Sequence, residues 1–208
     1  MSNNRIVVIG RQFGSGGREI AKKLAAKLGV NCYDNELLTM AAKKSGLCDT
    51  WFEANDEKPN KSFLYSLVVG SYSMPAPGLS GGEHPLTFQV HLAQQKTICE
   101  IADRESCVIV GRCADYALRD YPKMVSVFVS AELEDRVVRV MEGSQVDESK
   151  ARELISKNDK RRASYYNYYS EGKWGDAKNY DLCINVSKLG IDKAVELIEQ
   201  FVLLQDRR

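Results

Sequence analysis

The sequence predicts an α/β fold: a five-stranded parallel sheet with helices on both faces, a mobile insertion and a helical lid. Three observations predict it. Short β-branched runs such as RIVVI (5–9) are almost continuously apolar, as strands buried on both faces of a parallel sheet must be. These runs alternate with helical patterns and no hairpin signal separates them, so right-handed parallel crossovers are the economical connection. A glycine cluster, GRQFGSGGRE (10–19), joins the first strand to the first helix.

Bulk properties bound the reading. A chain of 208 residues with 44% hydrophobic and 27% charged residues fits one globular domain. The expected core comprises 1–49, 86–141 and 179–208, with an insertion at about 50–85 and a lid at about 142–178. Lysine plus arginine total 29 against 28 acidic residues, so neither nucleic acid nor an anionic membrane is attracted in general and anion binding must be local. No apolar run is long enough to span a membrane, and the N-terminus enters a strand pattern without a signal-peptide layout, so the expectation is a cytoplasmic protein. The six cysteines show no C-x-x-C pair and are expected to be reduced core residues.

The elements follow in order. After strand 5–9, a helix over roughly Arg18–Leu28 places Ile20, Leu24 and Leu28 on one stripe and stops at Gly29. A short strand at Val30–Tyr33 leads to Asp34, which can cap a helix beginning NELLTMAAKK. Prolines and glycines then punctuate a polar stretch from Thr50 to Pro85, the composition of a functional loop. A long helix, Pro85–Arg104, precedes strand Cys107–Val110 and the turn Gly111-Arg112. Strand MVSVFVS (124–130), a helix at Leu133–Met141, a polar segment at 142–180 with a charged helix followed by SYYNYYSEGKWGD, strand Leu182–Val186 and an amphipathic helix Ile191–Leu204 complete the chain.

The glycine cluster carries the first chemical expectation. Gly14, Gly16 and Gly17 permit positive φ and close backbone approach, Ser15 keeps the loop small, and the helix beginning near Arg18 and Glu19 adds its positive dipole end. Inward-pointing N–H groups then make a phosphate site. The usual loop, G-x-x-x-x-G-K-[ST], carries a lysine for the terminal phosphates and a hydroxyl for magnesium. Here Gly17 fills the lysine slot and Arg18 the hydroxyl slot. Arg18, or Arg11 at the other rim, is expected to supply the missing charge. The metal ligands are unknown at this stage, with Glu19 and Asp34 the candidates.

The segments GRQFGSGGREIAKKLAAKLG (10–29), CYDNELL (32–38), VIVGRCADYAL (108–118), DRVVRVM (135–141) and the run from Asn158 to Gly190 together resemble the cytidylate kinase-like family, relatives of the P-loop nucleoside monophosphate kinases. The resemblance implies a P-loop NTPase fold and transfer of a γ-phosphoryl group from ATP, with Mg2+, to CMP or dCMP. It also implies that Asp34 begins a monophosphate-binding segment and that Arg112 and Asp115, in GRCAD, face the monophosphate. By the same resemblance Arg136 and Arg139 lie where a helix enters the lid, and Asp159 and Arg162 match a D-x-x-R pattern within it.

The residues support parts of this independently. Phosphoryl transfer needs positioning and positive charge more than a nucleophile. Arg136 and Arg139 share one helix face, as do Asp159 and Arg162, although a solvated face reads the same way. Arg112 follows a buried strand at the edge where open α/β sheets bind ligands, whereas Asp115 and Asp34 could equally be local caps. Tyr165, Tyr166, Tyr168, Tyr169 and Trp174 suit packing of a lid, or contact with a nucleotide base. His84 and His91 lack the partners of a metal site.

The expected function is therefore an ATP-dependent phosphotransferase acting on a small acceptor, a nucleoside monophosphate in first place. The rivals are a nucleotide-binding protein without catalysis, a kinase for another small metabolite, and an RNA-linked protein using the tyrosine-arginine segment, which the balanced charge disfavours. The sequence leaves oligomeric state open.

Overall fold

The computed structural model describes residues 4–34 and 86–205. The helix expected after Asp34, the insertion at 50–85, Cys48 and His84 lie outside the described residues. Five parallel strands form one sheet: β1 (Ile6–Arg11), β2 (Asn31–Tyr33), β3 (Cys107–Val110), β4 (Met124–Ser130) and β5 (Leu182–Asn185), in the order β2-β3-β1-β4-β5. β1 is central. Ile6 to Ile9 align with Cys107 to Val110 on one side, and Ile6 to Arg11 align with Met124 to Val129 on the other.

The continuous apolar run of β1 is needed because both faces are covered. Val7 and Ile9 pack against α1 (Gly17–Leu28) and α7 (Ile191–Gln205) through Ile20, Leu24, Ala194 and Ile198. Ile6 and Val8 face the other way, onto Ile98 and Ile101 of α2 (Leu86–Arg104) and Ala114 and Leu118 around the short α3 (Ala114–Ala117). Full burial of each such aliphatic side chain stabilises by about 1.5–3 kcal/mol. α1 ends at Gly29, whose left-handed backbone returns its N–H to Ala25 and Ala26, as the glycine stop signal requires.

α1 leaves β1 for one face and α3 leaves β3 for the other. The carboxyl ends of these adjacent strands therefore open a crevice, the place where such sheets bind ligands. Two helices close over it: α4 (Leu133–Ser144) and the 22-residue α5 (Glu148–Tyr169), capped by Asp147, whose side chain accepts from the Lys150 N–H. The sequence pattern placed SYYNYY after a charged helix, but the helix continues through it. Tyr165 and Tyr166 are buried there, packed with Cys113, so tertiary contact sustains a turn that polar periodicity gave no reason to extend. A final short helix, α6 (Val186–Leu189), turns the chain from β5 into α7.

The cysteines at 32, 99, 107, 113 and 183 are free thiols. Cys107 and Cys113 are buried, but Cys183 is exposed on edge strand β5, where side chains alternate between core and solvent, so the core expectation does not hold for it. No described helix is long and apolar enough to cross a membrane.

Candidate active site

The loop after β1 is shaped by glycine and braced from three sides. Gly14 and Gly16 have φ of 78° and 85°, a region costly for residues with a Cβ. At Gly14 a Cβ would also lie 2.9 Å from both the Arg136 carbonyl oxygen and Val140 Cγ2. Ser15 is buried and its hydroxyl donates to the Gln12 carbonyl at 2.9 Å, while the Gln12 side-chain oxygen accepts from the Ala131 N–H at 3.1 Å. α1 starts at Gly17 with Gly16 as N-cap and no side-chain cap, so no capping side chain takes its first amides and they suit an anion. Over this loop lies a cleft of about 570 Å³, lined by Gly16, Gly17, Arg18, Lys22, Arg139 and Arg162 among others.

α4 and α5 hold the loop from above. Arg136, 5% exposed, donates through Nε to the Phe13 carbonyl at 2.8 Å and forms an ion pair with Asp159. The other Asp159 oxygen accepts from the Phe13 N–H at 2.7 Å, so this pair grips both polar groups of one loop residue. Arg139 reaches the Gly14 carbonyl at 3.4 Å, and Arg162 donates to the Arg11 carbonyl at 2.9 Å with its guanidinium over the Phe13 ring.

Across the crevice, three consecutive residues after β3 have left-handed backbone: Gly111, Arg112 and Cys113, with φ of 72°, 66° and 53°. Such strain in two residues with side chains persists only where surrounding contacts hold it. Gln95 of α2 donates to the Arg112 carbonyl at 3.0 Å, and the buried Arg112 side chain lines a small pocket with Arg11, Arg162, Asp115, Tyr166 and Tyr180. Asp115 accepts from the Tyr166 hydroxyl at 2.7 Å. Burial pushes the Asp115 carboxyl above its ordinary range, partly offset by that hydrogen bond, and burial likewise pushes the Tyr166 phenol up, so it stays a donor. At about 30 Å³ the pocket has room for little more than water.

Asp34, at the carboxyl end of β2, is 12% exposed and takes two arginines: Arg18 Nε at 2.5 Å and Arg11 Nη2 at 3.4 Å. Glu19 pairs with Lys23 at 3.0 Å. The two carboxylates considered for magnesium are thus both in ion pairs, and the described residues hold no cluster of three or more candidate metal ligands.

The structure thus brings together the residues singled out in the sequence: the Gly14–Glu19 loop, Asp34, Arg112, Asp115, Arg139 and Arg162 surround one crevice, and Arg136 and Asp159 brace its loop. Sequence reasoning missed Tyr180, Gln95 and Phe13, which are ordinary residues in ordinary patterns. It offered Arg11, at the loop's other rim, as the alternative to Arg18 for the missing charge, and spacing alone could not choose between them.

The model of the cytidylate kinase-like family matches residues 6–188. An uncharacterized protein from Eubacterium ventriosum of known structure is 33% identical, with 96% of this chain and 98% of that chain covered and a TM-score of 0.73. Two shikimate kinases share the fold at low identity. That from Bacteroides thetaiotaomicron is 14% identical, covers 95% of this chain and 98% of its own, and has a TM-score of 0.53. That from Acinetobacter baumannii, in complex with shikimate, is 13% identical, covers 100% and 97%, and has a TM-score of 0.50. No curated protein matches the chain.

Proposed function

Because this chain belongs to the cytidylate kinase-like family, we propose that it transfers the γ-phosphoryl group of Mg-ATP to a small acceptor, a nucleoside monophosphate such as CMP or dCMP. One observation carries the reading: the open cleft over the glycine loop and the small pocket at the β3 turn share two lining residues, Arg11 and Arg162. A donor phosphate in the first and an acceptor in the second would meet between two guanidinium groups.

The triphosphate lies with its β-phosphate on the loop amides and the α1 N-terminus, with Arg139 and Arg162 over its outer oxygens. Arg112 and Asp115 orient the acceptor. An acceptor oxygen attacks the γ-phosphorus in line, the bond from that phosphorus to the bridging oxygen breaks, and the electron pair stays on the β-phosphate of ADP. Charge spread over the γ-oxygens is stabilised by the arginines, the larger part of catalysis in this chemistry. The small pocket cannot admit a nucleotide as it stands, so α5 lifts for acceptor entry and closes to exclude water.

The fold shared with shikimate kinases supports a second acceptor class, a small non-nucleotide metabolite. A coupled assay of ADP release across the common nucleoside monophosphates and a set of small hydroxylated metabolites separates the two. Turnover with CMP or dCMP is expected. Turnover only with a non-nucleotide selects the second class, and tight Mg-ATP binding without turnover on any acceptor selects a binding protein instead.

A further inference from the structure

The loop has a glycine where a lysine usually carries charge to the terminal phosphates, and the surroundings of Gly17 show why. Gly17 is the first residue of α1 and, unlike Gly14 and Gly16, lacks a left-handed backbone, so conformation does not require glycine there. Glycine at a helical position costs up to about 1 kcal/mol against alanine, which calls for a reason. The space supplies it: a Cβ at 17 would lie 2.5 Å from Arg11 Cβ and 2.9 Å from Arg11 Cγ. The stem of Arg11 fills the volume that a side chain at 17 would enter. The same arginine runs on past Gly111, whose left-handed backbone already favours glycine and whose bare Cα leaves the end of the guanidinium room to lie against it. Two bare positions on two different elements thus form a channel for one side chain, which ends where the donor cleft and the acceptor pocket join. Arg18, the other candidate, is 57% exposed and takes the closer contact with Asp34, leaving Arg11 the longer one.

We propose that Arg11 is this protein's substitute for the loop lysine: the cation has moved from position 17 to position 11, and Gly17 is glycine to let it pass. The proposal rests on the kinase reading above and concerns which residue meets the triphosphate. Asp34 holds the guanidinium in place, and the fork of Arg11 reaches the outer phosphate oxygens with two N–H groups where a lysine would offer a point charge.

The test is calorimetric titration of the full chain with a non-hydrolysable Mg-ATP analogue and, separately, with ADP. Arg11→Ala and Arg11→Gln are each expected to weaken the triphosphate by about 10- to 100-fold, the scale of charge-assisted hydrogen bonds, and ADP by clearly less. Arg11→Gln keeps the stem over Gly17 and decides the matter if the alanine variant is poorly folded. Gly17→Lys alone is expected to lose triphosphate binding by collision with Arg11. Added to Arg11→Ala, the same Gly17→Lys change is expected to restore part of the affinity, because it returns charge to the vacated volume. Unchanged triphosphate affinity in Arg11→Gln, equal losses for ADP and the triphosphate, or no gain on adding Gly17→Lys to Arg11→Ala would each overturn the proposal. Wild-type protein that binds neither nucleotide would instead overturn the kinase reading itself.

Discussion

The sheet core and helix α5 press on the same glycine loop from opposite sides, and different forces hold them there. Below the loop, Val7, Ile9, Ile20, Leu24 and Ile198 are buried against one another in the layers around β1. Above it, α5 has its own apolar seams, Ala151 and Ile155 on Val137 and Val140 of α4 and Tyr165 and Tyr166 beside Cys113, and adds directional contacts that the core lacks: the Arg136–Asp159 pair on Phe13, Arg162 on the Arg11 carbonyl, Tyr166 on Asp115, and Tyr165 on His91 Nδ1 at 2.8 Å. Apolar burial is indifferent to charge and direction, whereas ion pairs and hydrogen bonds fail when one atom or one proton changes. The core below the loop is therefore less sensitive to charge and pH, whereas the polar contacts of α5 respond to both.

The largest effect that would sharpen this contrast is in the core. Ile9→Ala, at a fully buried position, is expected to cost about 4 kcal/mol in denaturant unfolding, with no dependence on salt. A loss under about 1 kcal/mol would mean that the core yields as readily as α5.

Next comes Asp159→Ala, which leaves the buried Arg136 guanidinium without its carboxylate and the Phe13 N–H without its acceptor. About 3 kcal/mol of destabilisation is expected, the scale for breaking one half of a buried pair. Proteolysis of native protein is expected to become faster within α5 before it does so within the sheet.

Acid should separate the two regions further. His91 is buried, its ring stacked on Tyr169 at 3.7 Å, and burial lowers its pKa from 6.5 to about 4. The unfolded chain therefore binds this proton first. Stability from the contact is full above pH 6.5 and falls progressively as the pH drops toward 4, a loss of about 2 kcal/mol at pH 4.5. Comparing wild type with His91→Phe at pH 7 and 4.5 checks it: the variant should lack this component of the acid loss.

The smallest effect is a control. Arg152, on the outer side of α5, pairs with Glu134 and Glu148 in the open. Arg152→Ala is expected to leave the melting temperature unchanged. A clear drop would show that α5 depends on its solvated face as well as on the contacts over the loop.

Much of the framework was legible in the chain. RIVVI and MVSVFVS mark β1 and β4 because strands covered on both faces must be apolar throughout, and Gly29 marks the end of α1 because only a residue without a Cβ turns there at no cost. The glycine loop was legible for the same local reason. The far end of α5 was legible only in part: the tyrosines suited packing of a lid, but the spacing of SYYNYY names neither Tyr165 and Tyr166 as the buried pair nor their partners, His91 and Asp115, which lie 74 and 51 residues away.

The same division runs through the site. By itself the sequence determined that a glycine loop follows a buried strand and that arginines gather along the later helices, because backbone freedom, periodicity and charge are properties of neighbouring residues. Only the tertiary structure decided which arginine does what: Arg136 locks onto Asp159 and braces the loop, Arg162 bridges two clefts, and Arg11 passes through a channel left by Gly17 and Gly111. A long charged side chain can reach many partners, and packing across the sheet edge selects among them.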